Sequence, residues 1–469
     1  MGAASSWKWR DWGRASPMLL VLIVFAGLCF APALFNDGDT SWHLATGQWI
    51  VSHRAIPHVD PFSFTYRGQP WTAHEWLVDV GMALAFAVRG WAALALIFSL
   101  SIAAALALIG RELSRWLAPR HAIAVLAVVA LVLAPYMLAR PHVVTWPLLV
   151  VWTLMLIRAR EQGRAPPVGW AALILLWANL HASFIFALLL AAVFALEALI
   201  DQKDQWRKVI AGWGLFGAAA GAAALVTPHG IQGFLYPLQV SGMKALPLIT
   251  EWRPTDVVDD WQFVLFSFAV LGAVIVRWRE VRTVRLLLLA LLAELAFAHV
   301  RHQALFAIVA VLILAKPLGM GRTPNAQRLG RDVLAVLFGG AALIAVARLA
   351  LPMQRGDSPT YPATALATLP AQLLGAPVLN DYSFGGPLIL NGIAPFIDGR
   401  SDMYGDVFTI DHARMVQGDR AAFDRAVQRW NLRWTILRPE APLTKLLDRN
   451  PRWARHYADQ YAVVHVRRH

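Results

Sequence analysis

The chain has 469 residues, of which 58% are hydrophobic and only 15% charged, and its mean hydropathy is +0.51. Because soluble domains carry about 25% charged residues, this composition excludes an ordinary soluble enzyme. The net charge of +13 does not indicate a nucleic-acid-binding protein, because much of the Lys and Arg content lies in short loops between apolar segments. The single cysteine, Cys29, lies inside the first apolar segment, which excludes a disulfide framework and a cysteine-based metal site.

Apolar segments recur along the chain at lengths typical of membrane-spanning helices, which need roughly 17–25 residues. Eleven spans are predicted, at 17–35, 91–110, 121–139, 142–157, 168–180, 183–200, 209–226, 261–276, 284–298, 303–315 and 332–351. Segments 168–180 and 303–315 are the shortest. No small-residue cleavage site follows segment 17–35, so it is predicted to be the first span and not a signal peptide. The sequence therefore predicts an all-α polytopic membrane protein.

The distribution of positive charge predicts the orientation of these spans. If the spans alternate, every loop on the N-terminal side carries a cationic cluster, whereas the opposite turns are poor in Lys and Arg. The clusters are Lys8/Arg10/Arg14, Arg111/Arg115/Arg120, Arg158/Arg160/Arg164, Lys203/Arg207/Lys208, Arg277/Arg279/Arg282/Arg285 and Lys316/Arg322/Arg328/Arg331. The positive-inside rule makes this side cytoplasmic. The loop at 36–90 and all residues after Leu351 are therefore predicted to be extracytoplasmic.

Two regions are predicted outside the membrane. The loop at 36–90 indicates two interfacial helices, about 40–53 and 74–88, joined by the proline-rich turn "IPHVDPFSFTYRGQP". The region 352–469 begins with a linker at 352–375 and continues with the strand-like stretches "PVLND", "APFIDG", "RWTILRP" and "YAVVHVRR". Helical stretches such as "DRAAFDRAVQRW" separate them, and this alternation predicts a small α/β domain. We therefore divide the chain into a transmembrane domain, 1–351, and an extracytoplasmic domain, 352–469.

Ionisable side chains gather in the predicted outer segments. Asp37 and Asp39 follow the first span directly, in "NDGDTSWHLATGQWI". Further candidates in the outer segments are His43, His74, Glu75, Arg140, His142, His181, His229, Glu251, Arg253, Arg301 and His302. Ionisable residues at membrane depth are costly and by default mark a functional site. The alternative for any one of them is structural: polar residues at helix ends snorkel or cap, and Asp39 could cap the helix that follows it.

The candidates suit transfer of a group from a lipid-linked donor. A carboxylate at the membrane boundary can accept a proton from an acceptor hydroxyl or amide, and nearby Arg and His can bind a departing phosphate. Alternatively, Asp and His could hold a divalent cation such as Mg²⁺ or Mn²⁺ for the same purpose. A proton-coupled transporter or flippase of an anionic glycan is the main rival. A proton-coupled transporter needs a proton relay, with charged residues spaced through the middle of several helices. Glu294 is the nearest example, and it lies close to a helix end.

The layout resembles the GT-C superfamily of integral membrane glycosyltransferases. The stretch "DTSWHLATGQWI" is similar to the Asp-Pro-x-Tyr-His-Leu-Arg region of oligosaccharyltransferase catalytic subunits and to the Asp-Glu start of dolichyl- or undecaprenyl-phosphate-sugar transferases. The stretches "VLNDYSFGGPLIL" and "PFIDGRSDMYGD" resemble C-terminal domains of bacterial glycosyltransferases of this architecture. The resemblance covers the whole chain in layout but only about 15 residues in motif.

The resemblance implies a role for the first-loop acid and a class of substrates. It makes Asp39 the catalytic residue, with Asp37 as second choice. It implies a bacterial inner-membrane hexosyl- or pentosyltransferase that uses a polyprenyl-phosphate sugar donor and a glycolipid or polysaccharide acceptor. The chain lacks a "WWDYG" motif, which favours transfer of a monosaccharide over en bloc oligosaccharide transfer.

Two glycine-rich stretches of the C-terminal region permit functional and structural interpretations. "DYSFGGPLIL" is a weak match to a phosphate loop, and a tight turn before a helix is the structural alternative. "FIDGRSDMYGD" combines acidic residues with arginine, and we predict that it contacts the acceptor or the catalytic face of the membrane domain.

Overall fold

The membrane domain is a bundle of helices, as expected where backbone polar groups must be bonded within each segment. The computed structural model describes residues 9–319 and 329–468. Its helices up to the linker are α1 Trp9–Phe30, α2 Asp39–His53, α3 Trp76–Trp116, α4 Pro119–Leu133, α5 Pro141–Val144, α6 Trp146–Glu161, α7 Ala172–Leu180, α8 Phe184–Asp201, α9 Trp206–Leu225, α10 Gly230–Ser241, α11 Trp261–Arg277, α12 Thr283–Ala298, α13 Gln303–Leu318 and α14 Arg331–Ala350. Lys8, Arg322 and Arg328 of the predicted cationic clusters lie outside the described residues.

The helices confirm the predicted fold class. Within the described ranges, nine helical segments are long and apolar enough to cross a membrane. The other two predicted spans, 168–180 and 284–298, correspond to shorter helices, Val168–Leu180 and the 16-residue α12. Helix α13 is the most enclosed: nearly all of its side chains are buried, so it forms the centre of the bundle.

Helix α3 departs from the prediction of an interfacial helix separated from the next span. It runs from Trp76 to Trp116 with one break in helical geometry, at Arg89 and Gly90. Gly90 has φ +58° and ψ −142°, a conformation that a residue with a Cβ atom rarely adopts. The Arg89 side chain donates hydrogen bonds to the carbonyls of Leu349, at 2.6 Å, and Ala350, at 3.2 Å. The interfacial arm of α3 therefore joins the spanning arm through an elbow that is attached to the end of α14.

The C-terminal region contains a four-stranded sheet with helices beside it. Its elements are α15 Ala363–Ala367, α16 Ala371–Leu374, β1 Val378–Asn380, α17 Gly385–Leu390, α18 Ser401–Val416, α19 Arg420–Trp430, β2 Trp434–Leu437, α20 Pro442–Asp448, β3 Trp453–Ala458 and β4 Val463–Arg467. The strand order is β1-β2-β4-β3, with β1 and β2 parallel and the other pairs antiparallel. The Asp419 carboxylate caps α19 by accepting the Ala422 N–H at 2.9 Å.

One predicted strand is wrong and one observed strand was not predicted. The stretch "APFIDG" is irregular, because the Asn380 side chain takes the place of a neighbouring strand. Its Oδ1 accepts the Phe396 N–H and its Nδ2 donates to the Ile397 carbonyl, both at 2.8 Å. Strand β3 lies at the edge of the sheet, and most of its side chains are not buried, so it lacks an apolar alternation that prediction could use.

The C-terminal domain contacts the first outer loop through a buried ionic pair and an aromatic cluster. Arg400 binds the carboxylates of Asp398, at 2.6 Å, and Asp60, at 2.8 Å. Phe64 and Tyr66 of the loop pack edge-on against aromatic rings of the domain, including Phe396. Because removing one partner of a buried ion pair is strongly destabilising, we infer that this contact holds the C-terminal domain over the start of α2.

Candidate functional site

The turn between α1 and α2 places two carboxylates at the junction of the membrane and C-terminal domains. Asp37 Oδ1 accepts the backbone N–H of Asp39 at 2.7 Å. Gly38 is the N-cap of α2, and no side chain caps that position. The capping alternative for Asp39 is therefore wrong: Asp37 supports the helix start, and the Asp39 carboxylate is available for other partners.

An arginine of the interdomain linker holds this turn in place. Arg355 donates hydrogen bonds to the carbonyls of Phe35 and Asp37 and to the Ser41 hydroxyl, each at 2.7 Å. Its guanidinium also lies over the ring of Tyr361, 4.4 Å from the ring centroid. Prediction from sequence missed Arg355, because nothing in a Pro- and Ala-rich linker indicates which arginine turns inward.

Arg140 brings together three carboxylates from two separate segments. Its guanidinium lies 2.7 Å from Asp39 Oδ2 and 3.4 Å from Asp37 Oδ2, and it also pairs with Glu251. The Asp39 side chain is 19% exposed, so the pair is accessible from outside. The predicted residues Asp37, Asp39, Arg140 and Glu251 thus form one cluster, which we call the Asp39 cluster.

The surroundings of Asp39 make its carboxyl less acidic than usual. Burial raises its pKa to about 6, the positive charge of Arg140 opposes that rise, and the nearby carboxylates of Asp37 and Asp398 add to it. A carboxylate with a pKa near 6 is ionised at neutral pH and is a stronger base than a free aspartate. This suits a group that accepts a proton.

A second predicted group assembles around Glu75, just before α3. Imidazole Nε2 atoms of His43, His74 and His181 lie 3.5, 3.6 and 3.3 Å from its carboxylate oxygens. Burial raises the pKa of Glu75 to about 8, while Arg140 and Arg301 act in the opposite direction. Burial likewise holds the pKa of the His43 imidazole well below its usual value. At neutral pH the Glu75 group is therefore largely uncharged.

Arg301 is a cation near the Glu75 group that lacks an anionic partner. Its guanidinium carbon lies 4.2 Å from the ring centroid of Trp252. Among the described residues, no carboxylate lies within ion-pair distance of it, in contrast to Arg140. An arginine with free donors beside a partly exposed site is suited to bind a phosphate.

Four other predicted site residues have different neighbours. Arg253 makes a two-point ion pair with Asp260, with both N–O distances 2.7 Å. His229 packs edge-on against His58, and His302 packs among the rings of Phe186, Trp252 and His299. His142 Nε2 lies 3.2 Å from the Tyr136 carbonyl oxygen, and its ring is 6.2 Å from that of His181. His142 thus borders the Glu75 group, and His229 is close enough to act on the pKa of His74. Direct contacts of Arg253 and His302 with that group are not observed among the described residues.

Three glycines, two in the C-terminal domain and one before α2, allow the C-terminal domain to pack against the Asp39 cluster. A Cβ atom on Gly399 would overlap Asp39 Oδ1, and one on Gly386 would overlap the Gly38 carbonyl oxygen. A Cβ on Gly38 would in turn overlap the Ser383 carbonyl oxygen. Gly386 of "DYSFGG", together with Gly399 and Gly38, therefore allows the two domains to approach closely, which gives that glycine a structural role.

Polar side chains of both domains border the same space. Tyr382 donates to the Gly399 carbonyl at 3.1 Å, and the Asp39 carboxylate is among the charges that raise its pKa. Asp402 faces the Tyr236 hydroxyl, and burial raises the pKa of Asp402 to about 6. The stretch "FIDGRSDMYGD", which contains Gly399 and Asp402, was predicted from sequence to contact the acceptor or the catalytic face. Tyr236 and Tyr382 were not predicted as site residues.

The described residues do not fit a bound divalent cation. Within residues 9–319 and 329–468, no group of three or more His, Cys, Asp or Glu side chains is arranged to hold a metal ion. The Asp39 and Asp37 carboxylates instead face the Arg140 guanidinium.

The fold and the site together describe a multi-pass membrane protein with clusters of ionisable side chains beside an attached C-terminal domain. No family model and no curated protein matches the sequence. The chain is similar in structure to the oligosaccharyltransferase of Archaeoglobus fulgidus in its apo form, with a TM-score of 0.56 and 11% identity, covering 92% of this chain and 70% of that one. It is also similar to ArnT from Cupriavidus metallidurans bound to undecaprenyl phosphate, with a TM-score of 0.52 and 14% identity, covering 99% and 98%. Both are GT-C glycosyltransferases, and this chain has the GT-C fold.

Proposed function

We propose that the protein is a glycosyltransferase of the bacterial inner membrane that moves one sugar from a polyprenyl-phosphate donor to an extracytoplasmic acceptor. The observation that carries the proposal is an apolar groove that adjoins the charged residues. The structural neighbour ArnT, solved with undecaprenyl phosphate, is consistent with a donor of this class. The acceptor is a glycolipid or a polysaccharide.

The apolar groove lies in the elbow of α3. It has a volume of about 400 Å³, and its walls include Leu77 and Gly81 of the interfacial arm and Leu100 of the spanning arm. Val144 and Leu180 close its far side. Leu77, Val144 and Leu180 lie within two residues of Glu75, His142 and His181, respectively. A lipid tail in the groove therefore has its head group beside the Glu75 group.

The charged residues then have distinct roles in transfer. Arg301, with its free donors, binds the donor phosphate. Asp39 accepts the proton of the acceptor hydroxyl as the acceptor oxygen bonds to the anomeric carbon. The bond from that carbon to the phosphate oxygen breaks, and polyprenyl phosphate leaves with its charge stabilised by Arg301 and Arg140. Glu75, protonated at neutral pH, can donate a hydrogen bond to the leaving oxygen.

Deletion of the gene distinguishes transfer from transport. If the protein is a transferase, mass spectrometry of the cell-envelope glycans of a deletion strain will show a product that lacks one sugar. Complementation will restore that sugar. A complete glycan that accumulates on the wrong side of the membrane would instead support the transporter or flippase. The restored product also provides an activity assay: the rate at which membranes from complemented cells form that product.

Filling the groove should weaken donor binding without disturbing the fold. A Cβ on Gly81 would have no atom within 4 Å, so we expect Gly81→Phe to fold and to place its ring in the groove. The KM for the lipid donor should rise about tenfold, the factor equivalent to roughly 1.4 kcal/mol of lost apolar contact. The measurement is the membrane assay with varied donor concentration.

Gly272→Phe is the matched control for that variant. Gly272 lies in the apolar helix α11, and a Cβ there also has no atom within 4 Å, but it is not part of the groove. Its donor KM should stay at the wild-type value. Equal donor KM values for the two variants would show that the groove does not bind the lipid donor.

A further inference from the structure

A second cavity lies at the opposite ends of the helices that carry the site. It has a volume of about 270 Å³ and is lined by the end of α3, the end of α6 and the loop that follows α6. Arg140 and Glu75 lie at the other ends of these helices. The 16 residues of α6 alone span about 24 Å at 1.5 Å per residue, so this cavity is separate from the Asp39 cluster. By the orientation predicted above, it faces the cytoplasm.

The cavity carries an excess of positive charge. Arg111, Arg158 and Arg164 line it together with one carboxylate, Glu112. Glu112 is already bonded, to the Trp116 indole N–H at 2.8 Å and to Arg158 at 3.1 Å. The lining therefore has three guanidinium groups for one carboxylate.

Two of these guanidinium groups retain free hydrogen-bond donors. Within the described ranges, Arg111 has no hydrogen bond and no ion pair, and Arg164 bonds only the Gln162 amide oxygen, at 2.8 Å. Both side chains are exposed. Arginines with free donors around a cavity present the geometry that phosphate oxygens accept.

Several arginines at the same end of the bundle belong to an internal ion-pair network that does not include Arg111 or Arg164. Arg160 pairs with Glu197 at 3.2 Å and with Asp201 at 2.7 Å, and Arg285 pairs with Glu197 at 2.8 Å. That network is an internal ion-pair cluster with little capacity for a ligand. Arg111 and Arg164 differ from that network because they line a cavity and keep guanidinium donors that a ligand can use.

The remaining walls of the cavity suit a lipid. Val151, Leu154 and Met155 of α6 form an apolar side, and Trp170 stands at the rim with 38% of its surface exposed. Tryptophan is enriched at membrane interfaces, where its ring contacts lipid at the level of the head groups. Basic pockets between helices on the cytoplasmic side are typical binding sites for anionic lipid head groups.

We propose that this cavity binds the phosphate head group of an anionic phospholipid through Arg111 and Arg164, with the lipid chains against the apolar side of α6. The bound lipid would neutralise the two free guanidinium groups. This site is independent of the proposed transferase reaction.

The test uses the purified, delipidated full chain and native mass spectrometry with added phosphatidylglycerol or phosphatidylcholine. We expect the wild-type protein to prefer phosphatidylglycerol. The variant Arg111→Gln/Arg164→Gln should bind it about 30-fold more weakly, the factor for two guanidinium groups at about 1 kcal/mol each. Both side chains are exposed, and a thermal unfolding curve checks that the variant is folded.

The double variant Arg207→Gln/Arg279→Gln is the control. Both arginines are exposed at the same end of the bundle, lie over the rings of their neighbours Trp206 and Trp278, and do not line the cavity. It should bind phosphatidylglycerol as the wild type does. Equal weakening in the two double variants, or equal binding of the two lipids by the wild type, would overturn the proposal. Displacement of the lipid by millimolar inorganic phosphate would assign the site to a soluble phosphate and overturn the lipid as its ligand.

Discussion

We expect Asp39→Asn to lower the rate of sugar transfer by about 10²–10⁴-fold, the usual contribution of a general base. The substitution removes the basic carboxylate but keeps the shape of the side chain. The hydrogen bond at the start of α2 is unaffected, since it joins the Asp37 carboxylate to the Asp39 backbone N–H. The protein should therefore insert and fold as the wild type does. The measurement is the initial rate in membranes, normalised to the amount of folded protein.

The pH profile gives an independent check on this role. If the ionised Asp39 is the base, its pKa of about 6 means that the wild-type rate falls as the pH drops through 6. The residual rate of Asp39→Asn should lack this titration. Because Asp402 also has a pKa of about 6, the wild-type profile alone cannot assign the group, and the comparison with the variant is required.

Asp37→Asn is the matched control for Asp39→Asn. An asparagine keeps a side-chain oxygen that can accept the Asp39 N–H, and the distance from Asp37 to Arg140 is already 3.4 Å. We expect a loss of less than tenfold, well below the range for a general base. A near-normal rate in Asp39→Asn, or a larger loss in Asp37→Asn, would reject Asp39 as the base.

The second large effect is expected for Arg140→Gln. This change leaves the carboxylates of Asp37, Asp39 and Glu251 close together without their shared cation. Because Arg140 opposes the rise in the pKa of Asp39, its removal should move that pKa above 6. At pH 7 a larger fraction of the base would be protonated and the leaving phosphate would be less stabilised, so the rate should fall by at least about 10²-fold. Raising the pH should recover part of the loss.

Two further variants separate charge from geometry at Arg140. Arg140→Lys keeps the positive charge but cannot reach several carboxylates at once. Its rate should be reduced, but the acidic limb of its pH profile, the fall in rate at low pH, should stay near pH 6. Arg67→Gln removes one positive charge from an exposed position of the first outer loop and should behave as the wild type. If the acidic limb of Arg140→Gln stays at the wild-type pH, Arg140 does not control the ionisation of Asp39.

The first outer loop shows how far sequence patterns reach into the site. The two carboxylates were predicted as a functional pair because they follow an apolar span directly, and both lie beside Arg140 in the structure. The Glu75 group was also composed of predicted residues. Which histidines join it could not be predicted, because His229 and His302 have the same sequence setting at helix ends as His74 and His181.

The spans and the division into a helical and a mixed region followed from the sequence, because a segment in lipid must bond its own backbone groups and so reveals itself by length and apolarity. Strand β3 did not follow, because it lies at the edge of the sheet without an apolar alternation, and the irregular "APFIDG" stretch did not follow, because the Asn380 side chain takes the place of a neighbouring strand. Tertiary structure alone decided that Gly399 lies against the Asp39 carboxylate, that Arg355 holds the turn, and that Arg140 is paired while Arg301 is not. These contacts join segments far apart in sequence, and local composition cannot encode which of several glycines or arginines will meet a given carboxylate.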